Sequence, residues 1–219
     1  MLSHDQVWAA VDALAERHGM TASGLARKAG LDTNGQAAPP PMFTPYTVRG
    51  VTLKNRIVVS PMAQYSAQDG LVGDYHLVHL GARAMGGAGL VFAEMTCVSA
   101  EGRITHGCLG LWDEATEAAL RERLHRARKL APETAVCIQL AHAGRKASSA
   151  VPWDGAQLLA PAQGGWETFG PSALPHLSTE TPPTAMSLEK LAQVRDAFVA
   201  AAQRADRLGI EAIEIHSAH

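Results

Sequence analysis

The feature that most constrains the fold is an alternation of short apolar runs with amphipathic helical runs between residues 43 and 219. The apolar runs have the length of buried strands, and the helical runs repeat their apolar residues every three to four positions. In chain order, the predicted strands and helices are Arg56–Ser60, Asp74–Met85, Leu90–Thr96, Glu114–Leu130, Ala135–Leu140, Ser187–Leu208 and Glu211–Ile215. Because strands that alternate with helices pair in parallel through right-handed crossovers, this segment is predicted to form an α/β domain with a parallel sheet.

The composition divides the chain into three segments. Residues 1–33 have a helical pattern, residues 34–42 form a linker rich in helix-breaking residues, and residues 43–219 form the α/β domain. The domain opens with two short alternating runs within residues 43–54, which predict a β-hairpin. The sequence therefore predicts one folded domain preceded by a helical extension.

The first segment contains two predicted helices. Apolar residues recur at helical spacing within residues 7–15, Gly19 follows at the position of a C-terminal cap, and a second short helix is predicted over Thr21–Gly30. The pair resembles the first two helices of a repressor-type helix-turn-helix, whose third helix would begin near Asp32 and enter the major groove. Three consecutive prolines, Pro39–Pro41, follow instead, and proline cannot continue a helix. DNA recognition by this segment is therefore not expected, and the alternatives are a solvated helical hairpin or a remnant of a gene fusion.

Composition and charge argue against several classes of protein. Hydrophobic residues make up 47% and charged residues 18% of the chain, which allows a sizeable buried core. The net charge of −2 gives no overall attraction for nucleic acid, so none is expected as a partner. Three cysteines without metal-type spacing favour a reducing, cytoplasmic location. No secretory signal is recognisable, and no apolar run approaches the roughly 18 residues of a membrane span, so no membrane association is expected.

A long loop rich in proline, glycine and tryptophan separates the third predicted strand from the last helix. Irregular connections of this length are uncommon in compact domains unless they are functional. The loop leaves the carboxyl end of a strand, where the active sites of α/β domains lie, so it is interpreted as a lid. Trp153, Trp166 and Phe169 would supply its apolar cover, with packing on the rim of the domain as the alternative for each.

Each predicted strand ends in a cluster of polar or conformationally special residues. These clusters are Ser60–Tyr65, Glu94–Thr96, Gln139–Lys146 and His216–His219. In a barrel of parallel strands the carboxyl ends meet on one face, so the four clusters are expected to converge there. Gly86–Gly89 precedes a strand and therefore is not a dinucleotide-binding fingerprint, and His216 and His219 do not lie on a helix as in zinc proteases. No metal site is predicted.

Taken in order, the motifs resemble those of the old yellow enzyme family of FMN-dependent ene-reductases, in particular its bacterial branch of xenobiotic reductases and thermophilic-type members. The matching segments are Phe43–Tyr46, Leu53–Arg56, Ser60–Tyr65, Glu101–Thr105, Gln139–Lys146, Gly165–Glu167, Pro171–Ala173 and Ile213–His219. They cover nearly all of residues 43–219 in matching order and spacing. The resemblance implies a TIM, or (β/α)₈, barrel, of which this chain carries roughly the first four β/α units behind a β-hairpin and a helical extension.

The resemblance implies a binding site for FMN. The cofactor-binding residues would be Ser60, Pro61, Met62, Ala63, Met95 and Gln139. Relatives often have Cys or Thr at the position of Ala63. The alanine side chain can supply neither a thiol nor a hydrogen bond to the flavin. Met95 would bring its backbone near the pyrimidine edge of the flavin. The amide of Gln139 offers both a donor and an acceptor, which suits flavin N3–H and O2.

The same resemblance implies catalytic roles for His216, His219 and Tyr65. The two histidines would hold the oxygen of an α,β-unsaturated carbonyl or related acceptor, and polarising that oxygen favours hydride delivery from flavin N5 because negative charge develops on it. Tyr65 would add a hydroxyl to the substrate pocket, and NADPH or NADH would be the reductant. Arg145 could support the flavin or the loop, or could be a surface charge.

A closed barrel of this kind needs about 250 residues, more than residues 43–219 provide. In the family, a tyrosine proton donor and the phosphate-binding loops would come after His219. The expectation is therefore a fragment with weak or no activity alone, which would form a homo-oligomer if it folds. Two alternatives stay open: a flavin- or dimerisation-linked transcriptional regulator that uses the N-terminal helices, and an inactive half-barrel relic.

Overall fold

A computed structural model describes residues 4–21, 24 and 39–218. The chain divides into two compact units, Met1–Thr44 and Pro45–His219. Within the part of the chain that is described, no helix is long and apolar enough to cross a membrane.

The first unit contains helix α1 (His4–Arg17). Gly19 follows it with a positive φ of 61°, in agreement with the predicted cap position. The predicted second helix, Thr21–Gly30, lies almost wholly outside the described residues, and residues 31–38 lie entirely outside them. A 3₁₀ turn, Pro41–Phe43, lies near the end of the unit. Proline at its first position favours this turn because its φ is fixed near the helical value.

The second unit opens with an antiparallel hairpin of strands β1 (Tyr46–Val48) and β2 (Val51–Leu53), which confirms the hairpin predicted within residues 43–54. The first strand begins at Tyr46 because Pro45 has no N–H to donate to a partner strand. The turn between the strands contains Arg49 with a positive φ of 51°.

A parallel sheet forms the centre of the second unit. In chain order, the further elements of this unit are β3 (Val58–Val59), α2 (Asp74–Met85), β4 (Leu90–Cys97), β5 (Leu109–Gly110), α3 (Glu114–Leu130), β6 (Ala135–Ala141), β7 (Phe169–Gly170), β8 (Thr184–Ala185), α4 (Leu188–Arg207) and β9 (Ala212–Ile215). The strands β3, β4, β6 and β9 are neighbours in that order and all pair in parallel, which confirms the predicted alternation and pairing. The described residues form this open sheet of the TIM-barrel type and not a closed barrel.

Local contacts set the boundaries of the helices. At the start of α3, the Asp113 carboxylate accepts a hydrogen bond from Thr116 N at 2.8 Å, and Thr116 Oγ1 accepts one from Asp113 N at 3.1 Å. At the start of α4, Ser187 Oγ accepts from Lys190 N at 3.2 Å, and Gly209 follows the helix with a φ of 65°. Because these contacts are local in sequence, the observed boundaries nearly coincide with the predicted ones.

Two apolar clusters hold the helices on the sheet. The larger lies between β6, α3 and α4 and contains fully buried side chains that include Leu120, Leu124, Ile138, Leu140 and Ala201. The smaller packs Leu80 and Ala84 of α2 against Val91 of β4. Burial of each large apolar side chain contributes about 1.5–3 kcal/mol. The carboxyl ends of the strands are therefore fixed relative to one another.

The shortest strands differ from the prediction. β3 pairs with β4 only through Val58 and Val59 and ends before Pro61, which has no N–H for a ladder. β5, β7 and β8 are not predicted, because a strand of two residues shows no measurable alternation. The loop between β6 and α4 is also more ordered than expected, since it contains three 3₁₀ turns and the parallel β7–β8 pair.

Candidate active site

A cleft of about 430 Å³ lies at the carboxyl ends of β3, β4, β6 and β9. The predicted site residues that line it are Ala63, Tyr65, Met95, Gln139 and His216. The predicted residues Ser60, Pro61 and Met62 follow β3 without lining the cleft, and His219 lies outside the described residues. The structure therefore brings residues from all four strand-end clusters together.

A larger cavity of about 590 Å³ lies within the loop between β6 and α4. Loop residues such as Leu158, Thr168 and Glu180 line it, and no predicted site residue does. In parallel α/β folds, ligands bind at the carboxyl ends of the strands. We therefore assign the candidate active site to the smaller cleft.

Tyr65 has a constrained backbone at the cleft. Its φ of 51° lies in the left-handed region that residues other than glycine rarely adopt. A Cβ atom on Gly107 would collide with the Tyr65 carbonyl oxygen, so the close approach of these two segments requires glycine there. The Tyr65 ring meets Trp153 edge-on, with 5.9 Å between centroids. Burial, followed by the nearby Cys108 and Glu94, raises the pKa of Tyr65, so its hydroxyl stays protonated and can donate a hydrogen bond.

Met95 belongs to a small buried cluster beside the cleft, together with Cys97, Cys108 and Ala141. Burial raises the pKa of the Cys97 thiol well above its usual value. Side-chain hydrogen bonding with Cys97 lowers the pKa of Cys108 to about 7. Both thiols are buried, so they are closed to bulk solvent and act here as packing groups.

Gln139 is held in place by a residue that the sequence analysis did not identify. It lies on β6 with 8% of its surface exposed, and its Nε2 donates a 2.6 Å hydrogen bond to Oε1 of Glu214 on β9. The two residues are directly opposite each other in the parallel ladder. Because the amide has a second N–H and a carbonyl oxygen, it retains both a donor and an acceptor for a ligand. The signal for Glu214 was its position as the lone charged residue between Ile213 and Ile215.

The remaining polar lining of the cleft is largely basic. His142, Lys146 and His176 join His216 around it, and no Asp or Glu lines it among the described residues. His142 and Lys146 belong to the predicted cluster that follows β6, although neither was singled out. His176 comes from the distant part of the loop and carries no sequence signal.

Burial lowers the pKa of His142, and the nearby charge of Lys190 adds to the shift while Glu101 opposes it. The backbone N–H of Gly144 donates to His142 Nδ1 at 3.1 Å. In the neutral ring the proton is therefore on Nε2.

Trp166 ties the loop to the rim of the cleft. Its Nε1 donates to the carbonyl oxygen of Glu101 at 3.0 Å, and its ring meets His106 edge-on with 4.9 Å between centroids. Trp166 therefore packs on the rim of the domain, which was the alternative to a role in covering the site. Trp153, in contrast, contacts the cleft residue Tyr65.

Two further loop contacts bear on the predicted residues. The exposed Arg145 donates to the carbonyl oxygen of Pro175 at 3.4 Å, a contact with the loop. The Phe169 ring lies 4.4 Å from Lys190 Nζ, a cation–π contact. In the residues that the structure describes, no group of three or more His, Cys, Asp or Glu side chains is arranged to hold a metal ion.

The chain matches a known protein family. A sequence model of the NADH:flavin oxidoreductase / NADH oxidase family matches residues 41–219. An NADH:flavin oxidoreductase of Gibberella zeae is 40% identical over 195 residues, which cover 87% of this chain and 46% of that protein. An NADPH dehydrogenase of Bacillus cytotoxicus is 40% identical over 180 residues, which cover 81% of this chain and 47% of that protein. The chain thus spans about half the length of the curated relatives it matches.

Solved structures share the fold. Morphinone reductase matches with a TM-score of 0.67 and 25% identity, over 82% of this chain and 48% of that one. Morphinone reductase in complex with tetrahydroNAD gives the same TM-score and identity, over 82% of this chain and 50% of that one. An old yellow enzyme from Pichia sp. AKU4542 matches with a TM-score of 0.69 and 24% identity, over 83% of this chain and 47% of that one.

Proposed function

We propose that this chain, which belongs to the NADH:flavin oxidoreductase / NADH oxidase family, the family of the old yellow enzymes, is an FMN-dependent oxidoreductase. Its reductant is NADPH or NADH, and its acceptor is an α,β-unsaturated carbonyl or a related small molecule. One observation carries the proposal: the polar lining of the cleft consists mainly of hydrogen-bond donors and contains no carboxylate among the described residues. Hydride transfer to such an acceptor places negative charge on its oxygen, and these donors stabilise that charge.

The residues present fit an FMN ring. The volume of the cleft, about 430 Å³, lies within the range of roughly 300–1,000 Å³ for small-molecule sites. The small side chain of Ala63 leaves room at one wall, and Gln139 presents a donor and an acceptor at another. Met95, which lines the cleft, is assigned to the same cofactor, and Ser60–Met62, which precede Ala63 without lining the cleft, are proposed to contact it as well. Bound FMN supplies the hydride chemistry between nicotinamide and acceptor.

The acceptor is assigned to the part of the cleft that is lined by His142, Lys146, His176 and His216. His216 N donates to the carbonyl oxygen of Leu140 at 2.9 Å, which fixes the point where the chain leaves β9. The imidazole of His216 and the protonated hydroxyl of Tyr65 are proposed to bind the acceptor oxygen, and the lining of the cleft by both residues supports this. His219 is proposed as the second histidine of this group, and Lys146 adds positive charge to the cleft.

Three further proposals concern the whole chain. Residues 1–33 are proposed to be a helical extension and residues 34–42 a linker, with the oxidoreductase domain in residues 43–219. A cytoplasmic location is supported by the free state of the three cysteines. Self-association is supported by the open edges that the sheet has among the described residues.

The function is tested by turnover of the purified protein with FMN, NADPH or NADH, and 2-cyclohexenone. We expect His216→Ala to lower kcat/KM for the enone by about 10²-fold, because one donor to the developing negative charge is lost. His125→Ala removes an exposed histidine of α3 and should leave kcat/KM unchanged. If the enone does not accelerate oxidation of the nicotinamide by the wild-type protein, or if His216→Ala behaves like the control, the proposal is wrong.

A further inference from the structure

The segment that brings Ala63 and Tyr65 to the cleft is not part of the β-ladder. Residues 60–66 follow β3 without regular secondary structure. Their backbone is held by a side chain from the next strand, since Gln64 N donates a 2.6 Å hydrogen bond to Oε2 of Glu94. Because the Gln64 amide lies between the two cleft residues in sequence, this single bond restrains both of them.

Glu94 occupies a bulge in β4. The ladder between β4 and β6 pairs Ala93 with Ile138 and Met95 with Gln139, so Glu94 is the extra residue. Ala93 packs in the apolar cluster that contains the helices, whereas Met95 packs in the cluster beside the cleft. Strict alternation would place these two side chains on the same face. The bulge therefore changes the phase of the strand, which turns Met95 to the cleft and leaves Glu94 on the side of α2.

His76 of α2 completes the arrangement. Gly73 N donates to His76 Nδ1 at 3.3 Å, so the proton of the neutral ring is on Nε2. This Nε2 atom lies 3.0 Å from Oε1 of Glu94, close enough for an electrostatic contact but without the alignment of a hydrogen bond. The two side chains are only 3% and 4% exposed. The two oxygens of Glu94 thus have different neighbours: Oε2 binds Gln64 and Oε1 faces His76.

We propose that Glu94 is a positioning residue for the oxidoreductase reaction, an inference that rests on the function proposed above. Its carboxylate holds the backbone of Gln64 and thereby sets the positions of Ala63 and Tyr65 in the cleft. Burying a carboxylate is unfavourable unless it is hydrogen-bonded or paired, and an apolar residue at this position would avoid that cost. Burial first, and the charge of Glu94 in addition, raise the pKa of Tyr65, which keeps the hydroxyl a donor.

The direct test is hydrogen–deuterium exchange of Glu94→Gln, with Glu117→Gln as a matched control. The substituted amide keeps the shape of Glu94 but has one acceptor oxygen for two donors, Gln64 N–H and His76 Nε2–H. Exchange in residues 62–66 is expected to accelerate by about tenfold, with or without FMN. Glu117 is also buried but contacts arginines of α3 and α4, so the control should accelerate exchange only in those helices.

A double-mutant cycle with Tyr65→Phe separates positioning from general stability. If Glu94 acts through the Tyr65 segment, the losses of kcat for enone reduction in the two single variants are not additive in the double variant. Unchanged exchange in residues 62–66, or fully additive losses, overturns the inference. If exchange accelerates but the wild-type protein neither binds FMN nor oxidises NADPH, the proposed function has failed, and Glu94 is only a structural tether.

Discussion

Two residues that line the cleft, Tyr65 and His142, are kept uncharged by their surroundings. Burial raises the pKa of Tyr65 and lowers that of His142, so near neutral pH the tyrosine is protonated and the imidazole is neutral. Both side chains can therefore donate a hydrogen bond without the cost of a buried charge. Lys146 also lines the cleft.

Replacing His142 is expected to reduce the loss of stability on mild acidification. Burial lowers its pKa below the value of about 6.5 in the unfolded chain, so the unfolded state takes up the proton first. The free energy of unfolding then falls as the pH drops below about 6.5 towards the lower native pKa. Urea unfolding at about pH 7.5 and about pH 5.5 measures this loss. It should be smaller in His142→Gln than in the wild type.

The exposed His125 of α3 provides the control for this experiment. His125→Gln should lose as much stability as the wild type between the two pH values. His79 also has a pKa lowered by burial, so some loss remains in His142→Gln. Equal losses in His142→Gln and the wild type would contradict the account of His142.

Residues at the carboxyl ends of the strands could be located from the sequence. Ala63 and Gln139 converge because the carboxyl ends of parallel strands meet on one face, which follows from the alternation of elements alone. Glu94 and Glu214 could not be given their roles, because these depend on a bulge and on the register between strands. His176 could not be located because the path of a long loop is set by tertiary contacts.

At the scale of elements, Glu117 links α3 to α4. Its carboxylate is buried and lies 2.6 Å from Arg207 of α4 and 2.6 Å from Arg121 of its own helix. Hydrogen bonding with Arg207 lowers the pKa of Glu117 the most. This contribution to stability is therefore present above the unfolded pKa of about 4.3 and is lost as the pH falls towards the native pKa.

We expect Glu117→Gln to lower the free energy of unfolding by about 1–2 kcal/mol, less than for a fully buried ion pair because both arginines are half exposed. Urea denaturation at neutral pH measures the change. Glu122→Gln, on the same helix but exposed, should change the free energy by less than about 0.5 kcal/mol. Similar effects of the two substitutions would show that the buried contacts of Glu117 do not contribute to the free energy of unfolding.

Helix boundaries could be predicted because their determinants are local. Asp113 and Ser187 cap their helices through bonds to residues three positions later, so the pattern is visible in the sequence. Strands β5, β7 and β8 are paired by distant residues and contain only two residues each. Their existence depends on the completed fold and not on their own sequence.

At the scale of the whole molecule, the two outer strands of the sheet, β3 and β9, carry exposed apolar residues and pair on one side only within the described part of the chain. Val58 on β3 is 46% exposed, and Ile213 and Ile215 on β9 are 41% and 64% exposed. Parallel sheets are normally buried on both faces, so we propose that these exposed residues are covered by association of two or more chains. Light scattering after size exclusion should give at least about twice the 23.1 kDa of one chain. Ile215→Lys should lower that mass, and a monomeric wild type would contradict the expectation.

The central claim is that the strand-end cleft, and not the larger loop cavity, binds FMN. Titration with FMN, followed by the change in flavin fluorescence, tests it on the wild type and on Ala63→Trp, which fills the cleft. Thr179→Trp fills the loop cavity and serves as the control. The account predicts saturable binding by the wild type and Thr179→Trp, and a Kd raised by at least about 10²-fold in Ala63→Trp. Absence of saturable binding by the wild type, or unchanged binding by Ala63→Trp, would contradict it.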